Sequence, residues 1–108
     1  MMNNALVQNN LKYLSKDMYN YLSCKDIDRF YMMINMTATK MKETTSNVYA
    51  RGIKLKLHYN YPDCEYDMVK IDYINNNSGL AIKTECFMAD LKKYVGKAYK
   101  ASAYRFFG

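Results

Sequence analysis

Three cysteines and one histidine are the residues of this chain best suited to nucleophilic or metal-binding chemistry: Cys24, Cys64, Cys86 and His58. Their spacing speaks against both uses. Structural zinc sites bring their ligands in close pairs such as C-x2-C, and no such pair exists here. A cysteine nucleophile needs a base within hydrogen-bond reach. His58 lies in an alternating stretch and points outward with Lys54 and Lys56, while Cys86 ends the following apolar stretch. An odd number of widely spaced cysteines does not form a disulfide framework. The expectation is three reduced thiols and no bound metal.

The carboxylates come next. Asp63, Glu65 and Asp67 alternate, so on an extended segment they share one face and could hold a divalent cation. The competing reading is a solvated hairpin end that keeps a sheet edge soluble. Pro62-Asp63 matches the opening of a common nuclease motif, which then requires an acid two residues before a lysine. Met68 precedes Lys70 and Ala81 precedes Lys83 at that distance, so the match fails. The chain contains no phosphate-binding glycine loop, no G-x-S-x-G and no H-E-x-x-H. No catalytic residue and no cofactor are assigned, and the expectation is a protein that is not an enzyme.

Positive charge remains. Sixteen basic residues face ten acidic ones, giving +6. Residues 87–108 alone carry +4, from four lysines, one arginine and one aspartate. Lys93, Lys97 and Lys100 recur about one helical turn apart, with Tyr104 beyond them and Arg105 near the edge. Such a stripe can meet phosphates as point charges, and Tyr104 can stack on a base. The plainer alternative is a solvated lysine face. A second candidate surface is Met32, Met33 and Met36, which project away from the main apolar stripe of their segment among Lys25, Arg29 and Lys40. Methionine adapts to irregular surfaces and suits a partner interface. The alternative is a helix sandwiched between two layers of the fold.

These residues must be positioned by elements that the apolar period reveals. Val7, Leu11, Leu14, Met18, Tyr21 and Leu22 predict a helix over 5–22. Ser23 followed by Asp26 is a capping box for a second helix over 24–43, with Ile27, Phe30, Tyr31, Ile34, Ala38 and Met41 on its apolar face. The period then drops to two. Strands are predicted near 53–59, 68–74 and 80–85, joined at Asn60-Tyr61-Pro62-Asp63 and Asn75-Asn76-Asn77-Ser78-Gly79. Gly52 marks a bulge or the start of the first strand. Helical spacing returns over 87–106, with Gly96 its weak point. The predicted fold is a single α+β domain over 1–108, ordered α-α-β-β-β-α. A three-stranded antiparallel meander carries the helices on one face.

From Cys24 onward the order α-β-β-β-α is similar to the topology of double-stranded RNA-binding domains, and Lys92-Lys93 near the start of the last helix extends the comparison. The resemblance is one of topology. Thr84-Glu85-Cys86 stands where that family has a Gly-rich loop and a Ser-Lys-Lys run, and Tyr61-Pro62-Asp63 stands where it has a Pro-His pair.

Composition bounds the rest. Half the residues are hydrophobic, so the chain is not disordered, and no apolar run approaches the ~18 residues of a membrane span. Thirteen lysines against three arginines, with eleven asparagines, twelve tyrosines and no tryptophan, match AT-rich codons. That points to a low-GC bacterium, its phage or its plasmids, and codon bias accounts for part of the lysine excess. With no signal sequence, the expected location is the host cytoplasm. The expected function is that of a small phage or mobile-element accessory protein. It would act by stoichiometric binding and inhibit a host nucleic-acid-handling or defence complex, in the manner of an anti-CRISPR protein. The expected partner is a host protein or protein–nucleic-acid complex, and a homodimer is compatible with the sequence. The second expectation is direct binding of RNA or DNA through the basic C-terminal helix. The third is a small enzyme or nucleotide-binding protein with an unrecognised pocket.

Overall fold

The computed structural model describes residues 4–38, 42–65 and 67–107. Its elements run α1 (Asn4–Tyr21), α2 (Cys24–Ala38), β1 (Thr44–Ala50), β2 (Ile53–Tyr59), β3 (Met68–Asn75), β4 (Ala81–Phe87) and α3 (Met88–Phe107). The fold class is the α+β predicted, but the sheet has four strands, in the order β1-β2-β3-β4, all antiparallel. The added strand is β1. The prediction runs helix 2 to residue 43 and assigns no element to 44–50; α2 is described over Cys24–Ala38, Lys40 and Met41 lie outside the described residues, and Lys42 and Glu43 are not helical. Thr44-Thr45-Ser46-Asn47-Val48 is poor helix sequence and good strand sequence. It shows little apolar alternation because its core-facing positions Thr44 and Ser46 are polar and half-buried, and only Val48 and Ala50 are buried. The fourth strand also breaks the topological likeness to double-stranded RNA-binding domains. From Cys24 the order is α-β-β-β-β-α.

Local chemistry sets each junction. Ser23 Oγ accepts from the Asp26 amide at 3.2 Å, the N-cap half of the predicted capping box, and donates to the Asp26 carboxylate at 3.0 Å, which meets the hydroxyl rather than the Ser23 amide. Arg51 and Gly52 both have positive φ, 48° and 82°, the two-residue type I′ turn that joins β1 to β2. Gly52 is therefore a turn residue rather than a bulge. A Cβ there would lie 2.8 Å from Asn77 Nδ2, which donates to the Arg51 carbonyl at 2.7 Å.

One apolar cluster draws on all seven elements. Val7, Leu11, Leu14 and Met18 of α1, and Ile27, Phe30 and Ile34 of α2, face Leu55, Leu57, Ile71 and Tyr73 of the sheet. Each such side chain contributes roughly 1.5–3 kcal/mol on burial. α2 covers β1 and β2, α1 covers β4, and α3 packs against both other helices. One buried polar node ties the layers together. The Asp17 carboxylate of α1 accepts from the Tyr73 hydroxyl at 2.5 Å and from Asn75 Nδ2 at 2.8 Å. The opposite face of the sheet carries Lys54, Lys56, Lys70, Lys83, Asp72 and Glu85 and is open. No helix among the described residues is long and apolar enough to cross a membrane.

Candidate nucleic-acid interface

Lys93, Lys97, Lys100 and Tyr104 lie on one exposed face of α3, with Tyr104 79% exposed. The flank of α3 next to them, at Tyr94, Ala98 and Ala101, packs on α1. Small residues let the two helices approach: Ala98, Ala101 and Ser15 line the groove between them. Ser15 Oγ donates to the Tyr94 carbonyl at 2.8 Å, and the Tyr94 hydroxyl donates to Gln8 Oε1 at 2.8 Å. These bonds fix the register of α3 on α1.

That register brings together lysines far apart in sequence. The groove, about 360 Å³, is lined by Lys12 and Lys16 of α1 opposite Lys97 of α3, and no Asp or Glu lines it. Lys93 and Lys97 flank the Tyr94 ring, with ammonium-to-centroid distances of 5.8 and 5.0 Å. A ring so placed holds two cations forward of the groove at little cost. Five exposed lysines therefore border one groove and one ridge. Sequence reasoning found Lys93, Lys97 and Lys100 but passed over Lys12 and Lys16. The available signal was their i,i+4 spacing on the polar side of α1, but only the α1–α3 packing shows which lysines they join.

Arg105 has a different place. Its guanidinium lies 4.3 Å over the Tyr19 ring and donates to the carbonyls of Tyr19 at 3.1 Å and Leu22 at 3.2 Å. Those are orphan carbonyls at the end of α1, so Arg105 acts as a C-terminal cap supplied by another helix. Its donors are committed to the fold, unlike those of the lysines.

The methionines divide. Met32 and Met36 are 54% and 63% exposed, while Met33 is half-buried against the core. α2 is thus not sandwiched, and its outer side faces solvent.

The remaining candidates do not assemble. Asp63 and Asp67 have φ of 63° and 60°, so the segment is a series of turns rather than a strand. Asp63 and Glu65 line a cleft with Glu85 and Asp90, and Asp67 is not among its walls. Among the described residues no three His, Cys, Asp or Glu side chains converge on a metal position. His58 Nε2 lies 2.8 Å from Glu43 Oε1, and its ring tilts against Tyr61. Cys64 Sγ donates to the Glu65 and Met68 carbonyls. Cys86 is fully buried, and burial, helped by the nearby Asp90 and Glu85, pushes its thiol up to about 12. That is the reverse of nucleophile activation. No family model, no curated protein and no solved structure matches this chain.

Proposed function

We propose that this protein acts by stoichiometric binding and lays its α1–α3 face along the phosphate backbone of a nucleic acid, alone or within a nucleic-acid-handling complex of a host cell. The observation that carries the reading is the convergence of Lys12, Lys16 and Lys97 on a groove that no carboxylate lines, beside Lys93 and Lys100 on the exposed ridge of α3. Compact ammonium groups without bidentate donors suit phosphate neutralisation rather than base reading. Tyr104, exposed at the end of the ridge, supplies a stacking surface for an unpaired base. Inhibition of a host defence complex by a phage or mobile-element protein fits this mode of action. The exposed Met32 and Met36 on α2 supply a second, apolar contact for the protein part of such a complex.

The test is a salt titration of binding to short fluorescent RNA and DNA. Five phosphate contacts at about 0.7–0.9 each give a log–log slope near −3.5 to −4.5. Changing Lys12 and Lys97 together to Ala should reduce the slope by about 1.4–1.8 and leave sequence preference unchanged. Arg105→Ala should lower the melting temperature and leave the slope alone, because its donors already serve α1. A slope unmoved by the lysine pair, or no binding at about 50 mM salt where electrostatic affinity is high, refutes the proposal.

A further inference from the structure

β1 is the outer strand of the sheet, and its free edge has no strand partner among the described residues. Natural edge strands are blunted by Lys, Pro, a bulge or a covering element. β1 has neither Lys nor Pro: Thr44-Thr45-Ser46-Asn47-Val48-Tyr49-Ala50 is uncharged and pairs with β2 without interruption over seven positions. The opposite edge strand, β4, carries Lys83 and Glu85 and lies against α1. The difference matters in a chain of charge +6.

The hairpin decides which backbone groups are free. A two-residue turn makes Ala50 and Ile53 a hydrogen-bonded pair. Hydrogen-bonded pairs alternate, so Ala50, Val48, Ser46 and Thr44 bond to β2, while Thr45, Asn47 and Tyr49 direct N–H and C=O groups away from it. Their side chains lie exposed on the open face of the sheet.

We infer that the protein forms a two-fold dimer in which β1 pairs antiparallel with β1 of a second copy, making one eight-stranded sheet. Centred on Asn47, this register sets Thr45 against the partner's Tyr49 and Asn47 against the partner's Asn47. All three outward-directed residues then meet outward-directed residues, and six backbone hydrogen bonds close. The next pair outward sets Glu43, which also holds His58, against the partner's Arg51, which also holds its own Asp26, so opposite rather than like charges meet at each end. Such exposed pairs fix register more than they add affinity.

The helices fit the same axis. α2 lies over β1 and β2, so its axis projects about half a strand spacing inside β1, and the two-fold lies half a spacing outside it. At ~4.8 Å between strands, the two α2 axes come about 10 Å apart, the distance of a packed helix pair. The flank of α2 that would meet its copy is identified by contacts within the chain. Tyr31 stacks on Tyr99 of α3 at 5.9 Å. Met33 is about 200° round the helix from Tyr31, on the side where Asp26 reaches Arg51 of the β1–β2 turn at 2.8 Å. Met33, with Met36 beside it, would supply the apolar area that a bare strand pair lacks.

Sedimentation velocity from about 1 to 500 μM tests this, since a dimer's population follows concentration. The expected species is twice 12.7 kDa at the upper end. Asn47→Lys places two ammonium groups opposite each other on the axis, and Asn47→Pro removes an N–H that β2 does not use. Each should weaken dimerisation at least about tenfold, which corresponds to ~1.4 kcal/mol. Asn47→Lys should leave the circular dichroism and melting of the monomer unchanged. Amide exchange at Thr45, Asn47 and Tyr49 should slow as concentration rises. A monomer throughout that range, or a dimer indifferent to Asn47→Lys, overturns the inference. If those three amides exchange freely at every concentration, β1 is left open to some other chain and the second copy is excluded.

Discussion

Raising the pH should destabilise this fold earlier than its exposed lysines would suggest, and the cause lies in buried acids, of which Cys86 and Tyr73 are the most enclosed. Cys86 and Tyr73 are both wholly inaccessible. Burial pushes the Cys86 thiol from 9.0 to about 12, with Asp90 and Glu85 adding to the effect. Burial also raises the Tyr73 phenol above its ordinary 10.0, reinforced by its hydrogen bond to Asp17 and by the charge of that carboxylate. In the unfolded chain both groups ionise normally. Above pH 9 the unfolded state therefore holds fewer protons than the folded state, and stability falls as pH rises. The contribution of Cys86 is whole below pH 9 and is lost between 9 and about 12. Each group costs about 1.4 kcal/mol per pH unit once its unfolded form has ionised. At pH 10.5 the loss from Cys86 is about 2 kcal/mol and Tyr73 adds a smaller one, against ~5–15 kcal/mol for a domain of this size. The assay is urea unfolding at intervals from pH 7.5 to 10.5, for the wild type and Cys86→Ala. The variant loses a constant amount to a small cavity, but its stability should fall by about 2 kcal/mol less than the wild type's over that range. Parallel decline of the two proteins would show that Cys86 ionises freely in the folded state, and the argument from burial would be wrong.

Other outcomes follow from single contacts. Asp17→Ala leaves the Tyr73 hydroxyl and Asn75 Nδ2 buried without a partner, and should cost about 2–5 kcal/mol in urea unfolding. Tyr73→Phe should cost less, about 1–2 kcal/mol, because the carboxylate keeps Asn75. Gly96→Ala should stabilise by about 0.5–1 kcal/mol through helix propensity, since the added Cβ would meet the Tyr31 ring at an ordinary 3.5 Å; a lower melting temperature would contradict this. Met32→Lys with Met36→Lys should leave the melting of the isolated chain within about 0.5 kcal/mol of wild type, as befits exposed positions, and a large loss would place both side chains in the core.

Much of this molecule is local and was legible as such. Periods of 3.6 and 2 gave α1, α2, β2, β3, β4 and α3, because each buries one face and its apolar residues repeat accordingly. The Ser23 cap on Asp26 was readable because its partners are three residues apart. The outward position of His58 followed from strand alternation. β1 was not legible, because two of its four core-facing positions are the polar, half-buried Thr44 and Ser46, which leaves only Val48 and Ala50 to carry an apolar period. Whether Asp63, Glu65 and Asp67 share a face was not legible either, because Asp63 and Asp67 take left-handed backbone conformations that break strand alternation. Tertiary packing decided the rest. Lys12 and Lys16 join the α3 ridge only because Ser15, Ala98 and Ala101 let two distant helices close together. Arg105 leaves that ridge only because the end of α1 lies within its reach. Periodicity tells each helix which side to bury, but it says nothing of which neighbour lies beside the exposed flank. The amphipathic pattern in the sequence therefore fixed the faces of the helices, and the packing of α3 against α1 decided which charges stand together.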